Sequence, residues 1–368
     1  MAEQAGVREA AAIPISDIKK SLSQRPRVAI LGTGLIGTSM GLVLAAQKNR
    51  PFEIIGMDLD RGRAREAKKL GAIDRDVGSY RDAITGSNLV IIAVPVLAAR
   101  EIFETVGREF ADGAVVTDVC STKADVIRWA EDSIDPSVNF VGGHPMTGSE
   151  KSGPKAASAE LFQGAIWALI PSARASEGAV KTIEGLVGLT GATPIYYDAA
   201  EHDTYVAAVS QMPILLSVAL FNMLRESPAW EDAAMLAGPA FKDLTRLASG
   251  SPTMSGDIMD TNREAVLHWV DRFREQLAQV SEAVQAGGDP MADLFVKANL
   301  DRDTFIEHRP VRRPPAGPKG PSAQDQIWRL FAGGLYDRYK ETAERMERGE
   351  LRDDKGLKRK LGGKDRGR

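Results

Sequence analysis

A glycine-rich turn between an apolar strand and a helix constrains this chain more than any other feature. The apolar run 28–31 leads into the motif GTGLIG, which begins a segment whose apolar residues recur at helical spacing. In this context the first glycine permits a tight turn, the second lets the backbone approach a pyrophosphate, and the third allows close helix–strand packing. The helix N-terminus then presents free N–H groups to phosphates. The sequence predicts a dinucleotide site formed by Gly32, Thr33, Gly34, Leu35, Ile36 and Gly37.

Asp58 supports this interpretation, because it lies 21 residues after Gly37 at the end of the second apolar run. An acid there accepts hydrogen bonds from the ribose hydroxyls and repels a 2′-phosphate, which favours NAD over NADP. Arg61 and Arg63 follow closely and leave NADP possible. Val94 and Pro95 end the run NLVIIAVP, where the far half of the dinucleotide is expected.

The glycine turn belongs to a repeating pattern of short β-branched runs and helical segments that continues to about residue 198. Such alternation predicts a parallel sheet with crossover helices. After residue 198 the strand-like runs stop and apolar residues recur at helical spacing. The predicted fold is an α/β Rossmann-type dinucleotide-binding domain followed by an all-α domain. The predicted segments are a flexible arm (1–26), the Rossmann domain (27–198), the helical domain (199–308) and a basic Pro/Gly-rich linker and tail (309–368).

Charge and composition exclude several classes of protein. The net charge of −3 hides a basic tail, because residues 309–368 hold 17 Lys and Arg against 9 Asp and Glu. The acidic remainder argues against nucleic-acid binding over the whole surface. A single cysteine excludes a cysteine-cluster metal site, and no metal site is predicted. The start of the chain lacks the pattern of a secretory signal, and the uncharged run 206–224 contains Pro213 and Asn222. We expect a cytoplasmic protein with a buried core helix rather than a membrane helix.

His144 is the strongest candidate for chemistry among the four histidines. It stands in VGGHPMTGSEKSG, directly after a predicted strand, where a rigid scaffold would present it to the cleft. Its ordinary pKa suits proton removal from a hydroxyl while hydride leaves the same carbon. Covalent catalysis by Cys120 is not expected, since hydride transfer needs no nucleophile.

Six segments together resemble the prephenate and arogenate dehydrogenases of tyrosine biosynthesis. The resemblance covers about residues 27–285 and is most specific around His144 and in the segment 238–249. It implies NAD(P)-dependent oxidative decarboxylation of prephenate to 4-hydroxyphenylpyruvate, or of arogenate to tyrosine. The segments are ILGTGLIGTS, IIAVP, TDVCSTK, GGHPMTGSEKSG, EHDTYVAAVSQMP and AGPAFKDLTRLASGSPTM.

The resemblance also implies roles for individual residues. His144 matches the catalytic histidine, Ser121 a serine that bonds the substrate hydroxyl, and Arg246 an arginine that holds a substrate carboxylate. An arginine suits that task because its fork binds a carboxylate bidentately. Lys242 matches a charged residue at the cleft mouth, for which a surface salt bridge is equally open. His202 and Asp203 also match the family, and we expect them to cap a helix and pack between the domains.

The segment 210–214 departs from the prephenate-specific pattern. The prephenate-specific motif reads Ser-His-Leu-Pro-His, and it aligns with the segment from Ser210 to Ile214. Gln211 and Ile214 replace its two histidines. This resembles some arogenate-using members and favours arogenate slightly, while a pocket that accepts both acids stays open. Two further alternatives are a dehydrogenase of 4-amino-4-deoxyprephenate and an NAD-binding regulator without turnover. The resemblance also implies a homodimer through the helical domain, with a small-molecule substrate and no membrane partner.

Overall fold

A computed structural model of the chain describes residues 25–48, 50–148 and 151–308. The predicted arm lies almost wholly outside these residues, and the predicted basic tail lies wholly outside them. Eight strands form one sheet in the order β3-β2-β1-β4-β5-β6-β7-β8. The strands are β1 (Arg27–Leu31), β2 (Glu53–Met57), β3 (Arg75–Asp76), β4 (Ser87–Ile92), β5 (Val115–Asp118), β6 (Asn139–Pro145), β7 (Ile166–Pro171) and β8 (Thr193–Tyr196).

The sheet is the predicted Rossmann type, and its central strands consist mainly of apolar residues, many of them β-branched, that are buried on both faces. Helices cover both sides and pack against two separate apolar clusters, one on each face. These helices are α1 (Leu35–Ala45), α2 (Arg61–Lys69), α3 (Tyr80–Ile84), α4 (Val96–Val106), α5 (Ala124–Ser133) and α6 (Glu177–Leu189).

Two details of the sheet differ from the sequence prediction. Strand β7 pairs antiparallel with β6, with Val141 opposite Pro171 and His144 opposite Ala168. The intervening residues contain only a short 3₁₀ turn, Pro154–Ala156, among those described, and a parallel return would need a longer crossover, usually an α-helix. The edge strand β3 was not predicted, because its two residues are polar and carry no apolar pattern.

Helices follow the last strand without a further strand among the described residues. Strand β8 ends at Tyr196 and the next helix begins at Ala199, near the predicted domain boundary, which itself stays a prediction. A short π-helical segment, Ala207–Gln211, interrupts the first long helix. The helices are α7 (Ala199–Val206), α8 (Met212–Arg225), α9 (Trp230–Met235), α10 (Pro239–Thr245), α11 (Pro252–Thr261), α12 (Arg263–Ala286) and α13 (Gly288–Glu307), with a 3₁₀ turn (Arg246–Ser249) between α10 and α11.

The helical region joins the sheet domain through polar contacts at the carboxyl ends of the strands. Asp257 of α11 accepts a hydrogen bond from the backbone N–H of Leu97, at 3.2 Å. The hydroxyls of Thr122 and Thr261 lie 2.8 Å apart. Ile258 of α11 is buried within one of the apolar clusters of the sheet domain. These contacts hold the helices beside the edge where parallel α/β sheets bind their ligands.

Candidate active site

The glycine turn has the geometry that a dinucleotide site requires. Gly32 has φ +93°, and a Cβ there would collide with the carbonyl of Ala93. A Cβ at Gly37 would collide with the carbonyl of Gly32, so both positions exclude larger residues. Gly34, by contrast, has open space where its Cβ would lie, with no atom of the described residues within 4 Å. The turn is therefore tight on its protein side and open where the pyrophosphate is expected.

Helix α1 begins directly after this turn with Leu35 and Ile36, both half-buried. No side chain caps its first turn. The first N–H groups of a helix have no partner within the helix, so these remain for a ligand. With the positive end of the helix dipole, they fit an anionic pyrophosphate.

Asp58 ends the second strand beside the glycine turn and is only 8% exposed. Its Oδ2 accepts from the backbone N–H of Thr33 at 2.8 Å and from the Thr33 hydroxyl at 3.2 Å. Its Oδ1 accepts from the N–H of Asp60 at 2.9 Å. A carboxylate has about four acceptor positions. Asp58 thus supports the turn and keeps acceptor capacity for a ribose hydroxyl.

The neighbouring arginines are engaged with acids of their own. Arg61 donates to Asp76 at 3.2 Å and also to the carbonyl of Val77. Arg63 pairs with Asp60 at 3.6 Å. Both guanidinium groups thus have carboxylate partners, which reduces their availability for a 2′-phosphate.

Val94 and Pro95 lie on the other side of the glycine turn. A Cβ at Gly32 would touch a side-chain methyl of Val94, so this residue packs directly against the turn. Pro95 is the exposed N-cap residue of α4. Cys120 is buried behind them, with its Sγ 3.8 Å from the Val94 carbonyl, and burial raises the pKa of its thiol well above the usual range. A reactive thiolate is thus disfavoured, as expected from the sequence.

His144 lies near the carboxyl end of β6, beside the carboxyl end of the neighbouring parallel strand β5. Thr117 of β5 pairs with Val141 of β6, so His144 is level with the loop that carries Cys120 and Ser121. The His144 side chain is 7% exposed, and Ser121 is half-buried. Burial, followed by the electrostatic effects of His202 and Lys123, holds the pKa of His144 well below its usual value near 6.5. The imidazole is therefore neutral at physiological pH and able to accept a proton.

A second histidine and an acid stand behind His144. The His144 Nδ1 lies 2.9 Å from His202 Nε2, and His202 Nδ1 lies 2.8 Å from Asp203 Oδ1. Asp203 also accepts from the backbone N–H groups of Lys123 at 2.7 Å and Ala124 at 2.8 Å. The first helix of the helical domain, α7, is capped by Asp198 and not by His202 or Asp203, so that expectation is wrong. Asp203 instead binds the first N–H groups of α5 in the sheet domain, which agrees with the expected packing between the domains.

A buried ion pair holds the backbone next to His144. Lys123 and Asp118 both have fully buried side chains and bond each other. The Lys123 ammonium also donates to the Gly143 carbonyl at 2.8 Å, and Asp118 Oδ1 accepts from the Gly143 N–H at 3.1 Å. Both polar backbone groups of Gly143 are therefore fixed by this pair, which limits the movement of the catalytic candidate that follows.

The predicted substrate residues of the segment 210–214 lie at the π-helical interruption. Pro213 lacks an N–H and its ring would clash with the carbonyl of residue 209 in a regular helix, which accounts for the local π geometry. Gln211 is 1% exposed; its Oε1 accepts from Asn262 at 2.9 Å, while its Nε2 has no hydrogen-bond partner among the described residues. Ser210 and Ile214 are half-buried.

Lys242 and Arg246 lie on the adjoining α10 and the 3₁₀ turn after it, and both are exposed. This segment packs against α8, where the Ser217 hydroxyl donates to the Leu244 carbonyl at 2.5 Å. The structure thus brings the segments 210–214 and 242–246 onto neighbouring helices.

Sequence reasoning missed three supporting features: the bond between the two histidines, the Lys123–Asp118 pair and the amide of Asn262. A signal existed for the first, because His202 and Asp203 are adjacent in a chain with only four histidines. The other two required knowledge of which loops meet. Within the described residues no cluster of His, Cys, Asp or Glu could hold a metal ion. His268 and His308 are exposed.

The helical run Ala199–Arg225 is long and apolar enough to cross a membrane, with 27 residues and a mean hydropathy of 1.7. Only 28% of its most apolar 18-residue stretch is buried within this single chain. The expectation of a buried core helix is therefore not met by one chain alone, because much of this helix lies at the surface.

The Rossmann sheet and its glycine turn define a dinucleotide-binding protein, and comparison with known proteins identifies the family. The family model "Prephenate dehydrogenase, nucleotide-binding domain" matches residues 42–196, and "Prephenate dehydrogenase, dimerization domain" matches residues 198–298. The chain belongs to the prephenate dehydrogenase family. Its relatives make it an NAD-dependent dehydrogenase of tyrosine biosynthesis.

Three relatives illustrate the similarity. The prephenate dehydrogenase of Bacillus subtilis (strain 168) is 34% identical over 258 residues, which cover 69% of this chain and 68% of that protein. The prephenate dehydrogenase of Lactococcus lactis subsp. cremoris (strain MG1363) is 33% identical over 262 residues, covering 69% and 70%. The crystal structure of A. aeolicus prephenate dehydrogenase, in complex with hydroxyphenyl propionate and NAD+, has a TM-score of 0.71 at 27% identity and covers 77% of this chain and 99% of that one.

Proposed function

We propose that the chain catalyses the NAD-dependent oxidative decarboxylation of both arogenate and prephenate, with His144 as the base. The observation that carries the proposal is a buried, neutral histidine near the carboxyl end of β6, on the same side of the sheet as the glycine turn after β1. A neutral imidazole can accept a hydroxyl proton at physiological pH. Family membership makes the substrate a cyclohexadienol acid, and the residues below divide the work of binding and oxidising it.

The residues present fit NAD. Gly34 leaves open space at an uncapped helix start, Asp58 keeps acceptor capacity, and Val94 and Pro95 border the turn. Arg61 and Arg63 are paired with acids, which supports NAD over NADP. NAD+, when bound, takes up the hydride that leaves the ring carbon bearing the hydroxyl. The chain itself supplies the orientation and the proton transfers.

His144 acts first as a base and then as an acid. It takes the hydroxyl proton as the hydride departs, and the hydroxyl oxygen becomes a carbonyl oxygen. The C–COO⁻ bond then breaks, its electron pair enters the ring, and CO2 leaves as the ring becomes aromatic. The oxygen, now a phenolate, recovers the proton from His144, so no net proton is released. Ser121 forms a hydrogen bond with this oxygen, and Arg246 binds a substrate carboxylate that is distant from the reacting carbon.

The preference for arogenate is supported by the segment 210–214. Ile214 offers no hydrogen bond where a histidine donor is found in prephenate-specific relatives. Gln211 Oε1 accepts from Asn262, and Gln211 Nε2 has no partner among the described residues. This donor suits a carboxylate, which both acids carry, so it does not discriminate between them. Ser210 and Lys242 complete the proposed substrate set, with Lys242 placed to attract an anionic substrate from the exposed side. These groups still accept prephenate, whose ring and ring carboxylate are the same.

A homodimer through the helical domain completes the proposal. Large apolar side chains of this domain are exposed in the single chain, and a second copy would cover them. The matching family model is named for dimerisation, and the exposed run Ala199–Arg225 lies in this domain. Dimer burial accounts for its apolar surface without a membrane and agrees with a cytoplasmic enzyme. Such side chains include Met223, Met235, Leu236, Leu244, Leu267, Phe273 and Leu277.

A matrix of initial rates tests this function. Absorbance of the reduced cofactor is followed with prephenate, arogenate or 4-amino-4-deoxyprephenate, each with NAD+ and with NADP+. We expect turnover of the first two acids, a higher kcat/KM for arogenate, and a preference for NAD+. Turnover of the amino-deoxy acid alone would identify the specialised dehydrogenase instead. Cofactor binding with no turnover of any acid would identify a regulator and refute the proposal.

A further inference from the structure

We propose that His202 and Asp203 are positioning residues that fix the tautomer of His144 and share the charge it acquires. The inference rests on the proposed function, because it explains how His144 becomes the base of that reaction. It assigns a role to two buried residues that the sequence suggested only for capping and packing. The argument follows the hydrogen atoms from the acid to the catalytic candidate.

The direction of the hydrogen bonds is set at Asp203. Its Oδ1 accepts from the N–H of Lys123 at 2.7 Å, and its Oδ2 accepts from the N–H of Ala124 at 2.8 Å. Backbone N–H groups only donate, so this carboxylate functions as an acceptor. His202 Nδ1, 2.8 Å from Oδ1, is therefore the donor in its bond with Asp203. The His202 proton stands on Nδ1.

The second bond then follows from the first. A neutral His202 with its proton on Nδ1 has a lone pair on Nε2. That atom lies 2.9 Å from His144 Nδ1, so His144 must donate its own proton there. The lone pair of His144 is left on Nε2, the ring atom that points away from the relay. The chain Asp203–His202–His144 thus selects Nε2 as the atom that accepts the substrate proton.

The relay also matters after the proton has moved. A doubly protonated His144 still donates from Nδ1, and a bond from a charged donor is stronger than one from a neutral donor. The His202 Nδ1–H bond to the Asp203 carboxylate makes His202 Nε2 a better acceptor for this bond, so the negative charge of Asp203 helps to balance the charge on His144. The arrangement opposes the effect of burial, which by itself would make His144 a very weak base.

Other charged and titratable groups around the relay are already engaged. Lys123 bonds Asp118 and the Gly143 carbonyl, and it opposes protonation of His144. On the opposite side, the Tyr197 ring packs edge-on to His202 at 6.5 Å between centroids, and Cys120 is buried as a thiol. Asp203 is thus the carboxylate bonded directly to the histidine pair among the described residues.

Two supports are independent of the relay. The Asp118–Lys123 pair fixes Gly143 on both polar backbone groups, and Asn262 Nδ2 donates to the Asp203 carbonyl at 2.8 Å. Replacing the His202 side chain removes neither contact. We therefore expect a His202 variant to keep the β6 backbone in place while the tautomer of His144 changes.

Two substitutions of His202 separate relay from packing. His202→Leu removes the acceptor for His144 Nδ1–H, whereas His202→Gln keeps a carbonyl acceptor but cannot carry charge. We expect kcat to fall about 100-fold in the leucine variant and about 10-fold in the glutamine variant, within the usual range for proton-transfer catalysis. The KM for NAD+ and for the substrate is expected to stay within about 3-fold. The matched control is His308→Gln, whose exposed histidine also stands beside an acid, Glu307, and we expect wild-type kinetics.

The pH profile provides the readout that a packing defect would not move. A positively charged His202 would lower the pKa of His144, whereas a neutral His202 accepts a hydrogen bond from Nδ1–H and stabilises the protonated form. When His202→Leu removes this bond, we expect the pKa of His144 to fall and the acid limb of kcat/KM to shift to lower pH. Asp203→Asn removes the charge and is expected to shift the limb in the same direction. Loss of kcat without any shift of the limb would assign His202 a structural role and overturn the inference.

A spectroscopic measurement avoids dependence on activity. With only four histidines in the chain, ¹⁵N-histidine labelling resolves each ring, and His144→Asn assigns one of them. We expect His144 protonated on Nδ1 in the wild type and on Nε2 in His202→Leu. A wild-type His144 protonated on Nε2 would overturn the inference even if the enzyme turns over. Failure of the wild type to oxidise either acid, by contrast, would refute the proposed function and leave the tautomer measurement standing.

Discussion

Lys123→Met is expected to destabilise the protein strongly, because it leaves a charge unpaired in the interior. Lys123 and Asp118 are both fully buried, and the lysine also bonds the Gly143 carbonyl. Breaking a buried pair by removing one partner costs about 3–5 kcal/mol. The loss of the donor to a buried carbonyl acts in the same direction and falls within that range. Two backbone N–H groups, of Cys120 and Gly143, remain on Asp118 and limit the cost to this range.

Urea unfolding measures this change. With a slope of about 3 kcal/mol/M, the midpoint falls by about 1–1.7 M. Wild type and variant are compared at one protein concentration, since a dimer gains stability with concentration. Lys181→Met is the matched control, because Lys181 bonds Glu177 one helical turn away and both side chains are at least half exposed. Such a surface pair contributes less than about 1 kcal/mol.

A double substitution tests the reason for the effect. Asp118→Asn together with Lys123→Met removes both charges, and we expect the pair to be less destabilised than the sum of the two single variants. The reasoning would be refuted if Lys123→Met cost no more than the control. It would also be refuted if the two single effects simply added, since no buried charge would then be involved.

Three further predictions concern the cofactor turn, the buried histidine and the substrate arginine. Gly34→Ala should weaken NAD+ binding at least about 10-fold with an unchanged melting temperature, because the added Cβ meets open space in the protein but faces the expected pyrophosphate. Gly37→Ala should also lower the melting temperature, because its added Cβ collides with the Gly32 carbonyl. Calorimetry on both variants distinguishes the two effects. His144 has a depressed pKa in the folded chain, so its contribution to stability is present above the unfolded pKa of about 6.5 and is lost as the pH falls. His144→Asn should therefore flatten the loss of stability between about pH 7 and 5, and an unchanged slope would contradict this. Arg246→Ala should raise the substrate KM at least about 10-fold while the KM for NAD+ stays the same, as steady-state kinetics would show.

The fold was predictable where local sequence determines structure. The glycine turn, the apolar strands and the helices after residue 198 follow from patterns within a few neighbouring residues, and the structure confirms them. The antiparallel return of β7 was not predictable from its own residues, because a strand buried on both faces has the same apolar text in either direction. The edge strand β3 exists only because β2 offers it hydrogen bonds.

The site divides in the same way. His144 was marked by its position at the end of a predicted strand, and Ser121 by the family resemblance. The structure has His144 near the carboxyl end of β6 and Ser121 in the loop after the neighbouring β5. The supporting contacts join residues far apart in the chain, as in Asp203 with Lys123 or Gln211 with Asn262. Such pairs are polar groups buried by tertiary packing, so their partners are unknown until the domains meet.

The central claim is that His144 accepts the substrate proton during hydride transfer. Single-turnover formation of NADH by His144→Asn, at saturating arogenate and NAD+, tests it most directly. Asparagine keeps a donor for His202 Nε2 but cannot act as a base at physiological pH. We expect the rate to fall by about 10²–10⁴-fold while NAD+ affinity is unchanged. A rate within about 3-fold of wild type would contradict the mechanism.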